Sequence, residues 1–254
     1  TYGADALRFN LITGNSPGND MRFYTEKCEA MRNFANKIWN ASRFVMMNLS
    51  IGKCRLPEEG KLEREDKWVL SKLNTLIREV TENLDSYEIG VASAKVYDFL
   101  WDTYCDWYIE LTKTRLNGGD PEKRETAEQV LCYVLTDLLK LLHPFMPFIT
   151  EEIFQALPHE GDFIMTSRWP EYRQELSFPE EEAAMEAVMD TIKAIRGRRA
   201  EMNVPPSKKA EILLVTAAPE IYARGLHFIQ RLAYASQITF ADAAPADTSG
   251  QVTV

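Results

Sequence analysis

Apolar residues recur along most of this chain at helical rather than strand spacing. Between about 24 and 49, Met31, Phe34, Ile38, Ser42, Val45, Met46 and Leu49 fall on one side of a helix turning about 100° per residue, and that stripe reads as core. A second helix is predicted over about 65–84, with Val69, Leu70, Leu73, Leu76, Ile77, Val80 and Leu84 on one face. A third covers about 88–115 and is dense in aromatics (Tyr97, Phe99, Trp101, Tyr104, Trp107, Tyr108), which suits the core of a helix bundle. Asp120 and Pro121 supply an N-cap and a first-turn proline for a fourth, about 121–142, with Val130, Leu131, Val134, Leu135, Leu138, Leu139 and Leu142 inward. "HPFMPFITEE" breaks that helix, and Thr150 is expected to cap a short one reaching about 157. A looser section, 158–178, leads to a long helix that Pro179 opens and that reaches about 200.

The two ends have a different texture. Residues 4–13 predict a short helix, 14–18 ("GNSPG") a loop and "NDMRF" a brief strand. After "NVPPSKK" the segment "AEILLV" alternates toward strand, "PEIYARGLHFIQRLAYA" toward helix and "QITFAD" toward strand again. The expectation is a mainly α protein, an up-and-down helix bundle with a short α/β piece at the N-terminus and a small α/β unit at the C-terminus. The boundaries fall at 1–23, 24–204 and 205–254.

The first long helix carries a second, unusual face. Asn33, Lys37, Asn40 and Phe44 gather opposite the apolar stripe, with Asn36, Arg43 and Met47 beside them. Asparagine is a mediocre helix former, and Phe44 lies well away from the apolar centre. One reading covers Phe44 with a neighbouring helix and leaves the amides solvated. The other is a platform for single-stranded nucleic acid, in which a base stacks on the ring, amides read base edges and Arg or Lys meets phosphate. Trp39 lies nearer the stripe and reads as core.

Charge and composition narrow the chemistry. A formal charge of −9 excludes a generic polycation but leaves room for a shaped local site. The stretch "KAIRGRRAEMNVPPSKK" sets Lys193, Arg196, Arg198, Arg199, Lys208 and Lys209 against Glu201 alone, which makes it a candidate phosphate contact; a solvated helix end is the alternative. Cys28, Cys54, Cys105 and Cys132 show no close spacing, and His143, His159 and His227 are scattered, so neither a zinc site nor a disulfide framework is expected. Reduced thiols suit a cytoplasmic protein. No apolar run is long enough to cross a membrane. The opening "TYGADALRF" has neither an initiator Met nor a leader pattern, so a piece of a longer chain is expected. No glycine-rich phosphate loop in a strand-to-helix setting and no His-Glu-x-x-His arrangement occurs, and no catalytic residue or metal ligand is assigned.

Taken together, "YGADALRF", "TGNSPGNDMRF", "RNFANKIWNASRF", "WDTYCDWYIELTK", "LLHPFMPFITEEIFQAL" and "IRGRRAEMNVPPSKK" resemble, in order, the C-terminal part of valyl-tRNA synthetases, which are class Ia enzymes. The isoleucyl and leucyl enzymes share the bundle and a similar "HPFxP…EE" turn; "CDWYIEL" and "RAEMNVPP" tilt the resemblance toward the valyl family. It implies an anticodon-binding bundle in which Phe44, following Arg43, matches an aromatic offered to the anticodon, and Asn33, Asn36, Lys37 and Asn40 match in type and spacing. It also implies a catalytic domain with ATP and valine sites and an editing domain, both upstream, and a coiled-coil arm downstream. The catalytic signatures of the family (His-x-Gly-His and Lys-Met-Ser-Lys-Ser) do not occur here, so no ATP or other cofactor site is expected in these residues. Valine tRNA is the implied partner, the implied state is a monomer, and the tRNAs concerned share AC at the last two anticodon positions. Arg8 and Arg22 would then lie where the bundle joins the catalytic domain. A helical protein-interaction scaffold without RNA contact is the rival from another class.

Overall fold

The computed structural model describes residues 2–13, 22–245 and 251–254, which fall into two compact units meeting at 178/179. The expected loop at 14–18 lies outside the described residues, as do 19–21 of the expected strand; Arg22 and Phe23 are not in a strand. The boundary read from sequence falls after 204, whereas the compact units divide before the helix that Pro179 opens.

The first unit is helical. Helix α1 (Ala4–Ile12) precedes α2 (Thr25–Asn48) and α3 (Arg64–Asp85). A continuous rod follows, made of α4 (Ile89–Asp98), a π-helical stretch (Phe99–Tyr108) and α5 (Ile109–Leu116). Helices α6 (Pro121–Leu142) and α7 (Pro147–Ala156) complete it. The apolar faces of α3 and α6 are sealed as their spacing predicts: Val69, Leu70, Leu73, Val130, Leu131, Val134 and Leu138 are all buried. On α2 the stripe holds at its centre, with Phe34, Ile38, Ser42 and Val45 buried and Met31, Met46 and Leu49 half-buried toward its ends.

The caps show why the elements begin where they do. Asp120 accepts from the amides of Glu122 (3.1 Å) and Lys123 (3.2 Å), with Pro121 at the first helical position. Thr150 does not cap α7 as expected; it lies inside the helix, and its hydroxyl donates to the Met146 carbonyl (2.8 Å). The cap comes instead from α1. The Asp5 carboxylate accepts from the amides of Phe148 (3.3 Å) and Ile149 (2.7 Å), the two amides an N-cap side chain ordinarily serves. Arg8 donates to the carbonyls of Pro144 (3.1 Å) and Phe145 (3.3 Å) in the same turn. One turn of α1 thus satisfies both the acceptors and the donors that the "HPFMPF" break exposes.

A buried ionic cluster ties the rod to α3. Asp66, fully buried, pairs in bidentate fashion with Arg115 (2.5 and 2.7 Å), accepts from the Tyr108 hydroxyl (2.6 Å) and caps the Glu63 amide (3.0 Å). Glu65, also buried, lies 3.0 Å from Arg115 Nε. Two carboxylates share one guanidinium, and burial, opposed by Arg115, raises the Glu65 carboxyl to about 7. Residues 158–178 lie along α3 through Asn74, whose amide donates to the Arg173 carbonyl (2.7 Å) and accepts from its N–H (2.8 Å). All four cysteines are free thiols, although the fold brings Cys54 and Cys132 into hydrogen-bonding contact.

The second unit contains α8 (Pro179–Glu201), β1 (Ala210–Val215), α9 (Pro219–Ala223), α10 (Leu226–Leu232) and β2 (Ala235–Ala241). The strands pair in parallel, with an extra residue on β2 where the register passes from Ala210↔Ala235 to Glu211↔Gln237. The predicted single helix between them is two short ones, broken at Gly225. A Cβ there would come within 2.6 Å of Val188 on α8, so only glycine lets the turn approach. Helix α8 ends with Asn203 in the left-handed region (φ 53), the Val204 amide bonding back to Arg199 (2.9 Å), and two prolines beyond.

Candidate functional site

Two helical ridges of the first unit face each other across an open cleft of about 500 Å³. The polar flank of α2 supplies Asn33, Asn36, Lys37, Asn40, Ala41 and Phe44; the π stretch and α5 supply Cys105, Ile109 and Lys113. The ridges run in the same direction. Phe34 meets Tyr97 (ring centroids 4.4 Å apart), Lys37 meets Asp106, and Phe44 meets Lys113. Parallel alignment is what alternate helices of an up-and-down bundle give.

Behind the α2 wall, Phe9, Phe34, Tyr97 and Trp101 form an aromatic cluster with centroid separations of 4.4–6.2 Å. Lys37 is held against it from two sides: its Nζ is 2.7 Å from Asp106 Oδ1 and 3.8 Å from the Trp101 ring centroid. Asn33, Asn36 and Asn40 are exposed, and their amides make no hydrogen bond to another described residue, so donors and acceptors face the cleft unspent. Phe44 is half-buried rather than bare, with Lys113 Nζ 5.5 Å from its centroid, and its ring still forms part of the cleft wall. Cys105 keeps its proton at neutral pH. Burial raises its thiol to about 12, with Asp106 adding to the effect and Lys37 opposing it.

The cleft therefore joins five of the six residues selected on α2. Arg43 is exposed but lies outside the lining. Trp39 corrects the expectation of a core residue: it is 41% exposed, because the buried stripe of α2 runs through Ile38 and Ser42 and turns Trp39 outward. Sequence reading missed the second wall. Cys105, Ile109 and Lys113 do share a four-residue spacing, but nothing in that spacing says which helix they face.

The basic stretch divides. Arg196 Nε donates to the Leu232 carbonyl (2.6 Å), and Arg199 donates to the carbonyls of Pro205 (3.0 Å) and Lys208 while lying 5.5 Å from the Tyr234 ring centroid. These two hold the second unit together. Arg198 pairs with Glu201 (2.8 Å) and Lys193 with Asp190 (3.1 Å), while Lys208 and Lys209 are exposed. Among the described residues no group of His, Cys, Asp and Glu could hold a metal, and no helix is long and apolar enough to cross a membrane.

The first unit is thus a helix bundle with an open cleft that presents unspent amides, an aromatic ring and lysines. Residues 66–214 match the family model described as the anticodon-binding domain of tRNA ligase, and the chain belongs to that family. Among curated relatives, the valine–tRNA ligase of Clostridium acetobutylicum is 52% identical across 100% of this chain and 29% of its own length. Those of Carboxydothermus hydrogenoformans (52%, 87% of this chain, 25% of its own length) and Bacillus cereus (45%, 94% and 28%) are similar in the same way. This chain thus spans under a third of the relatives it matches; they are ligases, and it covers their anticodon-binding part. The LeuRS of Agrobacterium radiobacter K84, solved in a ternary complex with tRNA and LeuAMS, shares the fold over 70% of this chain and 21% of its own (TM-score 0.52, 20% identity). Family membership supports a tRNA-binding role.

Proposed function

We propose that the cleft receives unstacked anticodon bases of valine tRNA, the chain serving as the tRNA-reading part of a longer, cytoplasmic, monomeric valine–tRNA ligase. In that reading ATP, valine and the catalytic groups belong to the rest of the ligase. One observation carries the proposal: the asparagines and the aromatic ring that sequence spacing put on one flank line a single open cleft. Phe44 offers a stacking face, Asn33, Asn36 and Asn40 read base edges, and Lys37, fixed by Asp106 and Trp101, keeps the wall in shape. The relatives at 45–52% identity are the support for valine. A protein-interaction scaffold fits less well, since it calls for a sealed ring and gives the free amides no task.

The test is binding of valine tRNA by substituted chains. A base stacked on an aromatic ring is worth about 1–3 kcal/mol, so Phe44→Ala weakens binding about 5- to 150-fold. Asn36→Ala and Asn40→Ala relax the preference for the AC dinucleotide more than they weaken affinity. Undiminished binding by Phe44→Ala would refute the platform.

A further inference from the structure

We propose that Lys113, on the wall opposite α2, meets the phosphate backbone of the nucleotide stacked on Phe44, and that Glu110 holds it in reserve over the ring while the cleft is empty. The inference rests on the anticodon-binding reading above and adds to it a residue and an exchange of charge partners.

The geometry separates the two lysines of the cleft. Lys37 is fixed by a carboxylate and by an indole face on another helix, and its side chain is 23% exposed. Lys113 pairs with Glu110 three residues earlier on its own helix, and the two side chains are 36% and 38% exposed. A pair that open to water holds its partners weakly, so Lys113 is the cation free to change partners.

Its present position also requires a change. Contacting atoms lie about 3.5–4.0 Å apart, so a planar base between the Phe44 ring and the ammonium needs about 7 Å. Nζ stands 5.5 Å from the centroid. A base that stacks on this ring displaces the ammonium outward, toward the ribose-phosphate of the same nucleotide. A flexible stem ending in a compact charge suits that role. The exchange also explains how a chain of charge −9 keeps an RNA cleft without a standing excess of positive charge: Lys37 and Lys113 are each matched by a carboxylate until phosphate replaces Glu110.

The experiment titrates the chain with a valine-tRNA anticodon stem-loop at a series of salt concentrations. A contact to one phosphate on a single strand contributes a slope of about 0.7 in log K against log salt. Lys113→Gln is expected to flatten the slope by about that amount and to leave the preference for AC intact, while Lys113→Arg keeps the parent slope. Glu110→Gln, which removes the competing carboxylate and leaves the lysine, tightens binding. An unchanged slope in Lys113→Gln, or weaker binding by Glu110→Gln, overturns the proposal. Phe44→Ala, run alongside, separates the two readings. If it weakens binding while Lys113→Gln does nothing, only the phosphate contact falls; if neither has an effect, the anticodon reading falls with it.

Discussion

Replacing Glu65 by Gln isolates the electrostatics that anchor the second wall of the cleft, because Arg115 sits two residues beyond Lys113. Asp66 alone neutralises Arg115, through two hydrogen bonds of 2.5 and 2.7 Å, so Glu65 is a second negative charge in a place that has lost its water. Its carboxyl is held at about 7 against an ordinary 4.5. At about 1.4 kcal/mol per tenfold change in proton affinity, that gap couples up to about 3 kcal/mol of folding stability to pH. The sign follows from which state holds the proton. The folded protein binds it more tightly, so the contribution is complete below pH 4.5 and is lost as pH rises through about 7. Glutamine imitates the protonated acid at every pH. Urea unfolding of the two chains, followed by circular dichroism from pH 4.5 to pH 8, should show nearly equal stabilities at the acid end. The variant should be the more stable by up to about 3 kcal/mol at the alkaline end. His143, whose protonation burial disfavours, acts in the opposite sense as pH falls, but it is present in both chains and cancels in the difference. Parallel stability curves would refute the reasoning.

Other outcomes follow from the same contacts. Asp5→Ala removes the cap that α1 lends to α7 and should cost about 0.5–2 kcal/mol in urea unfolding, with no change in the salt dependence of tRNA binding; full stability would show that the two amides find other acceptors. Arg199→Ala takes the guanidinium away from the carbonyls of Pro205 and Lys208. It should speed amide exchange in the second unit while leaving the salt slope of tRNA binding where it was, and a flatter slope would return Arg199 to the phosphate contacts. Asn74→Ala breaks both bonds to the Arg173 backbone. The Arg173 carbonyl keeps the Leu176 amide (3.0 Å), but the part-buried Arg173 N–H is left unmet, at about 1–3 kcal/mol in thermal or urea unfolding; a neutral result would mean that residues 158–178 do not depend on α3.

Much of this architecture was legible because periodicity reports burial directly. The stripe of α6 is unbroken, that of α3 fails only at Leu84, half-buried near its helix end, and Asp120-Pro121 marks the start of α6 without ambiguity. Thr150 misleads because capping side chains usually lie next to the helix they cap, whereas Asp5 reaches α7 from 143 residues away. The π stretch was illegible for a related reason: Tyr104 and Tyr108 within it donate to buried acceptors, Leu131 and Asp66, that only the folded bundle brings there. The α2 side of the cleft could be read because amides on a helix flank are conspicuous. Its other side could not, because Cys105, Ile109 and Lys113 gain their meaning only from what faces them. Trp39 shows the limit of angular reasoning, since a residue beside the stripe can fall on either side of the surface boundary.

The most direct measurement is a competition titration of this chain, with labelled valine tRNA displaced either by its unlabelled form or by a transcript altered only at the last two anticodon positions. Discrimination by amide contacts to a base, at about 1–3 kcal/mol per good bidentate pair, predicts that the altered tRNA competes about tenfold or more less well. Equal competition by the two transcripts would contradict the account.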